Sequence, residues 1–184
     1  MATRLVIKLG VSPVLALMVF AFGLRVVRAQ SIDSYGLSEQ VRKQLVTLPY
    51  YGVFDNLEYK IDGAAVTLSG QVVRPSTRSD AGARVKRIPG VERVTNNIKV
   101  LPLSSMDTAL RRRLYRAVFS FAGLSRYAMG TNPSIHLIVD NGHVTLEGVV
   151  DNQTDSNMAY LRANGVPGIF SVTNNLRVRN SRQK

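Results

Sequence analysis

One stretch of twelve residues occurs twice in this chain, and this repeat constrains the fold more than any other feature. Residues 89–100 read PGVERVTNNIKV, and residues 167–178 read PGIFSVTNNLRV. The same offset of 78 residues (167 − 89) aligns VTL at residues 66–68 with VTL at residues 144–146. Self-similarity at a constant offset indicates one structural unit that is present in two copies.

The two copies differ in length upstream of this alignment. Val41 matches Leu110 at an offset of only 69 residues (110 − 41), so the second unit carries 9 additional residues (78 − 69). They fall between Tyr115 and Ser134. Because insertions between packed elements are accommodated in loops, we expect a longer helix-to-strand connection in the second unit.

Chain length and the repeat predict two small domains. The chain has 184 residues, and domains of half that size bury a modest share of their surface. We therefore expect the two units to pack against each other or against another surface. The predicted segments are a signal peptide at 1–29, a first domain at 38–101, a linker at 102–106, a second domain at 107–179 and a frayed tail at 180–184.

Hydrophobic periodicity predicts the same element order in each unit: helix, strand, strand, helix, strand. In the first unit, Ser38 is expected to cap the first helix, and two strands with alternating apolar residues flank the turn at 62–63. A strand that follows a helical crossover can lie parallel to the strand before it. The predicted fold class is α+β, with two tandem α/β sandwich units, each with two helices on a three-stranded mixed sheet.

Residues that recur at equivalent positions of the two units are expected to have structural roles. Gly70 and Gly148 lie within the second strand of each unit, where glycine usually serves backbone conformation or close packing. Asn96 and Asn174 fall on the inward phase of the third strand. A buried amide most often satisfies backbone groups, and the alternative is a polar contact to a ligand.

The first thirty residues have the pattern of a secretory signal peptide. Arg4 and Lys8 precede an apolar run at residues 11–24, and residues 27–29 (VRA) end in a small residue suited to cleavage. The alternative is an uncleaved inner-membrane anchor, although a spanning helix needs about 20 apolar residues. In either case, we expect the rest of the chain to leave the cytoplasm.

Charge and cysteine content narrow the classes of partner. The formal net charge is +12, and the chain contains no cysteine. The absence of cysteine excludes disulfides, zinc–cysteine clusters, thiol catalysis and lipid modification of an N-terminal cysteine. The positive charge favours an anionic partner. Because the chain is predicted to be exported, we do not expect nucleic acid to be that partner.

The sequence carries no pattern of catalytic or metal-ligating residues. His136 and His143 are the two histidines, and no acid or thiol lies at ligand spacing from them. We expect His136 to lie on the outward face of a strand and His143 at a turn. No nucleophile elbow, phosphate loop or carboxylate pair is present. We therefore predict a protein that is not an enzyme and that has no cofactor.

The repeated motifs resemble those of the BON family, named after bacterial OsmY and nodulation proteins. They are VTLxG at residues 66–70 and 144–148, and a proline-glycine segment with the spacing PGVxxVxNxIxV at 89–100 and, with close variants, at 167–178. The resemblance implies an α/β sandwich of the predicted topology, a periplasmic location in the bacterial envelope, and binding of phospholipid or other envelope components rather than catalysis. It does not determine the ligand, because fold does not imply function.

The first helix of the second unit carries the candidate binding residues. Tyr115 and Phe119 are one turn apart, on the side of the helix opposite to its predicted core face. Residues of that core face are apolar: Leu110, Leu114, Ala117 and Phe121. The predicted lipid-binding residues are Arg111, Arg112, Tyr115, Arg116 and Phe119, and the patch is expected to continue to Leu124, Tyr127 and Met129.

An aromatic pair surrounded by arginines suits the headgroup layer of an anionic membrane, where guanidinium groups bind phosphate. The alternative is that Tyr115 and Phe119 are buried under the inserted segment or against the first unit. The equivalent helix of the first unit has no such aromatic pair, so we expect the second unit to bind and the first unit to serve as a spacer. Two functions remain open: binding of anionic phospholipid surfaces in envelope integrity or stress tolerance, and a protein-interaction or chaperone-like module that binds another envelope protein.

Overall fold

A computed structural model of the chain describes residues 35–130 and 132–179. The predicted signal peptide at 1–29 and the predicted frayed tail at 180–184 lie outside the described residues. Among the residues that are described, no helix is both long enough and apolar enough to cross a membrane.

The first unit consists of helices packed on a mixed sheet. Its elements are α1 (residues 35–46), β1 (Asn56–Asp62), β2 (Ala65–Val72), α2 (Pro75–Lys86), β3 (Arg93–Asn96) and β4 (Lys99–Val100). Strand β1 pairs antiparallel with β2, whereas β3 and β4 pair parallel with β2 and form one interrupted third strand. The helical crossover through α2 brings the chain back so that β3 and β4 run parallel to β2.

The second unit repeats this arrangement with one addition. Its elements are α3 (Ser105–Phe119), α4 (Ala122–Ser125), a 3₁₀ turn (Arg126–Ala128), β5 (Ile135–Asp140), β6 (His143–Val150), α5 (Gln153–Asn164), β7 (Ser171–Asn174) and β8 (Arg177–Val178). The predicted α+β class and the repeated unit are confirmed. The addition is α4 with its 3₁₀ turn, which lies where the sequence places the nine extra residues.

Each unit has its own apolar core between sheet and helices. In the first unit the fully buried residues include Val41, Val66, Leu68, Val72, Ala81 and Val85. In the second unit they include Leu110, Leu114, Val118, Leu137, Val144, Leu146 and Ala159. The core of the second unit extends beyond the repeat, because it also contains residues of the inserted segment and receives side chains from the first unit.

The interruption of each third strand is made by its asparagine. The amide nitrogen of Asn96 donates to the carbonyl of Arg78 at 2.8 Å, and its oxygen accepts from the backbone nitrogen of Ile98 at 3.2 Å. Asn174 makes the equivalent bonds to α5 and to the backbone two residues ahead. The predicted hydrogen bonding of these amides to backbone groups is confirmed, but their predicted burial is wrong, because Asn96 is only partly buried and Asn174 is exposed.

Two local expectations are wrong. Ser38 is not a helix cap, because α1 is already helical at Tyr35, and its hydroxyl lies 3.0 Å from the hydroxyl of Tyr59 instead. Phe121 does not extend the core face of α3, because that helix ends at Phe119. Phe121 is the N-cap residue before α4 and remains exposed at the surface.

Gly70 and Gly148 have to be glycine, because the backbone of the neighbouring strand approaches them too closely for a side chain. Gly148 has a φ of +118°, and a Cβ added there would lie 2.1 Å from the carbonyl oxygen of Ser134. Gly70 repeats this geometry against Asn56, with a φ of +106°. Both the left-handed conformation and the lack of space exclude a side chain.

We predict that Gly148→Ala lowers the free energy of unfolding by more than about 2 kcal/mol, because the backbone of β5 or β6 has to move. Urea denaturation of the purified protein measures this change. Gly165→Ala is the matched control, because its Cβ would make only ordinary contacts, the nearest at 3.6 Å. Equal stability of the two variants would contradict this account.

Candidate functional site

The two units are joined by a loop of the first unit, residues 49–55, which we call the junction loop. The carbonyl oxygen of Val53 accepts a hydrogen bond of 2.7 Å from the backbone nitrogen of Leu137 on β5. Val53 and Phe54 also pack against the apolar core of the second unit. The junction loop therefore fixes the first unit against an edge of the second sheet, as the small size of the units predicts.

Asp55 holds the shape of the junction loop. Its side chain is only 5% exposed, and its two oxygens accept hydrogen bonds from the backbone nitrogens of Gly52 at 3.1 Å and Val73 at 2.7 Å. Burial raises the pKa of Asp55, while these hydrogen bonds and the positive charge of Arg111 act in the opposite direction. A buried carboxylate with both oxygens bonded to backbone is a structural group rather than a proton donor.

Arg111, predicted to bind lipid at the surface, is buried between the units. It is 4% exposed and donates to the carbonyl of Val139 at 2.8 Å. Burial lowers the pKa of Arg111, while the nearby charges of Asp107 and Asp55 raise it. The predicted exposure is wrong because this side of α3 faces the linker and β5, where Asp107 also accepts two hydrogen bonds from the turn between β5 and β6.

Phe119 is also buried, as the alternative interpretation allowed. It is 7% exposed and belongs to the same apolar cluster as Leu124 and Tyr127 of the inserted segment. The Tyr127 hydroxyl donates to the carboxylate of Asp155 at 2.6 Å, which attaches the insertion to the start of α5. Helical periodicity places Phe119 away from the first core face, but the nine extra residues fold over it.

The remaining predicted residues lie together at the surface. Tyr115 is 39% exposed, and its ring contacts those of Phe119 and Phe54 at centroid distances of 5.0 and 6.2 Å. Arg112 and Arg116 are exposed, and so is Arg113, which the sequence interpretation did not select. Within residues 35–130 and 132–179, none of these three arginines forms an ion pair.

These side chains line a shallow depression of about 780 Å³, which we call the α3 groove. Its lining consists of Phe54, Ala109, Arg112, Arg113, Tyr115 and Arg116. A smaller depression of about 330 Å³ shares Tyr115 and Arg116 and continues to Met129. Of the residues described, no acidic side chain lines either depression, so the groove presents uncompensated positive charge beside apolar surface.

Phe54 is, besides Arg113, a residue of this site that the sequence interpretation missed. It lies 61 residues (115 − 54) before Tyr115 and reaches the groove only because the units pack against each other. No local pattern marks it. In the predicted extension of the patch, Met129 is exposed, whereas Leu124 and Tyr127 are buried in the core.

His136 does not lie on an open strand face as expected. It is 7% exposed between the units, with its Nδ1 3.3 Å from the carbonyl oxygen of Gly52 and its ring 5.6 Å from that of Tyr51. Burial lowers the pKa of His136 and raises that of Tyr51 to about 12. In the described part of the chain, no group of three or more His, Cys, Asp or Glu side chains is placed to hold a metal ion.

Comparison with known proteins identifies the repeated unit. A model of the BON domain matches residues 36–102 and 124–180, which together are more than half of the chain. The chain belongs to the BON domain family. BON domains are associated with phospholipid binding and envelope stress proteins, are generally not enzymes, and are typically periplasmic or attached to the envelope. No curated protein matches the chain.

The second match begins at residue 124, so α3 lies outside the segment that the BON model recognises. Among solved structures, two chains of CdsD, a structural protein of the type III secretion system of Chlamydia trachomatis, are similar. One is 11% identical with a TM-score of 0.31 and covers 78% of this chain and 92% of that one. The other, the C-terminal domain, is 13% identical with a TM-score of 0.28 and covers 77% and 96%. Likeness at this level carries no conclusion about function.

We predict that Phe119→Ala lowers the free energy of unfolding by about 3 kcal/mol or more, because it opens a cavity beneath the insertion. Tyr115→Ala should lower it by only about 1 kcal/mol, since its ring is partly exposed. Urea denaturation of both variants measures the difference. If Tyr115→Ala were the more damaging change, the burial of Phe119 would be contradicted.

We predict that stability is lost as the pH falls below the unfolded-state pKa of histidine, about 6.5. The pKa of His136 is lowered in the folded state, so the unfolded chain binds the proton first and acid favours unfolding. Between about pH 7.5 and about pH 5, the wild-type free energy of unfolding should fall relative to that of His136→Gln. Parallel pH profiles for the two proteins would show that His136 is not the titrating group.

Proposed function

We propose that the protein is a non-enzymatic envelope protein that binds anionic phospholipid membrane surfaces through the α3 groove and serves envelope integrity or stress tolerance. One observation carries the proposal: Arg112, Arg113 and Arg116 are exposed around Tyr115, and among the described residues no acidic side chain lines the groove. The association of BON domains with phospholipid binding agrees with it.

The chemistry of the groove suits a lipid headgroup layer. Guanidinium groups bind phosphate with two parallel hydrogen bonds, and a tyrosine ring has an apolar body and a polar end that match the membrane interface. Met129, which is 71% exposed in the smaller depression beside the groove, adds an apolar side chain. Since each basic residue near an anionic surface contributes about 1 kcal/mol, three arginines support a reversible, salt-sensitive attachment.

Export of the chain belongs to the same proposal. We infer that residues 1–29 act as a cleaved signal peptide and that residues 38–101 and 107–179 are the two exported domains. The charged, apolar and small-residue regions of the first segment support this. The typical envelope location of BON-domain proteins agrees with it. The groove would then face the lipid surfaces that border the periplasm.

We predict that residues 30–184 co-sediment with vesicles of equal parts phosphatidylcholine and phosphatidylserine, but not with vesicles of phosphatidylcholine alone. The Arg112→Glu/Arg116→Glu variant should lose roughly ten-fold or more in affinity, because it replaces two attractive charges by repulsive ones. Increasing salt should weaken the wild-type binding, since it screens these charges.

The matched control is Arg87→Glu/Arg93→Glu, which makes the same change in net charge at exposed positions of the first unit outside the groove. Its affinity should stay close to that of the wild type. Absence of binding to either kind of vesicle would overturn the proposal and would favour the second candidate, a module that binds another envelope protein.

A further inference from the structure

A further pocket, smaller than the α3 groove, lies where the two units meet, and both units contribute to it. This junction pocket has a volume of about 350 Å³. The first unit lines it with Tyr50, Phe54, Val73 and Arg74, and the second unit with Thr108 and Arg112. Because Phe54 and Arg112 also line the α3 groove, the pocket continues that surface toward the first unit.

The lining combines apolar surface with positive charge. Phe54 and Val73 provide the apolar wall, and the exposed Arg74 and Arg112 belong one to each unit. Asp55 is the acidic residue of the lining, but it is 5% exposed and both its oxygens are bonded to backbone nitrogens. The charge that the pocket presents to solvent is therefore positive.

Arg74 is held beside an exposed aromatic ring rather than by an acid. Its guanidinium carbon lies 4.5 Å from the ring centroid of Tyr50. Tyr50 is 71% exposed and has a φ of +65°, a conformation that a bulky side chain seldom adopts. Across the described ranges, Arg74 forms no ion pair. The charge of Asp55 acts on Arg74, but Asp55 is buried and bonded to backbone nitrogens, so the exposed Arg74 guanidinium remains available to an external anion.

We propose that the junction pocket binds the phosphate of one anionic phospholipid between Arg74 and Arg112, with the adjoining carbon chain against Phe54 and Val73. This inference rests on the proposed function and makes the first unit part of the lipid site instead of a spacer. Charge complementarity and continuity with the α3 groove support this ligand. A pocket of about 350 Å³ admits a headgroup with its first carbons, whereas a folded protein segment needs a larger surface.

Vesicle binding of single charge reversals tests this inference. With vesicles of equal parts phosphatidylcholine and phosphatidylserine, Arg74→Glu and Arg112→Glu should each weaken binding roughly five-fold or more. Arg78→Glu is the matched control, because Arg78 is exposed on α2 and does not line the pocket. It should bind within roughly two-fold of the wild type if the site rather than net charge determines affinity.

The outcomes separate this inference from the proposed function. If Arg74→Glu behaves like Arg78→Glu while Arg112→Glu loses binding, the junction pocket is overturned and the α3 groove stands. If none of the three changes weakens binding, both are overturned. Thermal unfolding of each variant identifies any loss that comes from misfolding, and a variant with a lowered transition is replaced by the alanine substitution at the same position.

A fluorescence experiment provides an independent measurement. The chain contains no tryptophan, so Tyr50→Trp introduces a single reporter beside Arg74. Its emission should shift to shorter wavelength when the anionic vesicles are added, because the ring enters a less polar environment. Tyr160→Trp, on α5, should not shift. An unchanged spectrum of Tyr50→Trp under conditions in which the protein sediments with the vesicles would overturn the inference.

Discussion

The hydrogen bond between the backbone nitrogen of Leu137 and the carbonyl of Val53 is the contact on which the arrangement of the molecule depends. The edge of a sheet presents backbone groups that need partners, and here the partner comes from the other unit. Asp55 keeps the junction loop in the shape that makes this bond. Because the bond fixes the position of the loop, it also determines that Phe54 meets Tyr115 and that Arg74 lies near Arg112. The surface described here thus follows from one backbone contact between units that are small enough to need each other.

The buried charge of Arg111 restricts how the two units can be oriented at this contact. Arg111 lies between the units with Asp55 and Asp107 acting on it, and its Nε has no hydrogen-bond partner in the described part of the structure. Taking charged groups out of water is expensive, and such groups add little to stability unless their geometry is well satisfied. Another orientation of the units would take Asp55, the charged residue of the first unit that acts on Arg111, away from it and leave the buried charge less well compensated. Arg111 and Asp107 are therefore buried on the side of α3 that meets its surroundings, whereas Arg112, Arg113 and Arg116 of the same helix remain exposed and available to a ligand.

The fold could be predicted from the sequence because it depends on neighbouring residues and on a pattern that occurs twice. The candidate site could be predicted only in part. Periodicity places Tyr115 and Phe119 on one side of α3, but it does not show what covers that side. Two contacts determine which predicted residues are covered. The insertion folds over Phe119. The first unit covers Arg111 on α3 and His136 on β5. An insertion has no counterpart in the repeat, and a contact between distant segments leaves no periodic signal, so neither could be read from the sequence.

The inserted segment changes what the connection between the first helix and the first strand contacts in the second unit. In the first copy, the connection between the first helix and the first strand reaches outward and attaches to the edge of the next sheet. Repetition of that connection would allow copy after copy to be added head to tail, as in open repeat arrays. In the second copy, the longer connection turns inward, buries Leu124 and Tyr127 in its own core, and is held there by Asp155. In the second unit, the nine additional residues therefore replace the outward contact of the first connection by a contact within the unit's own core.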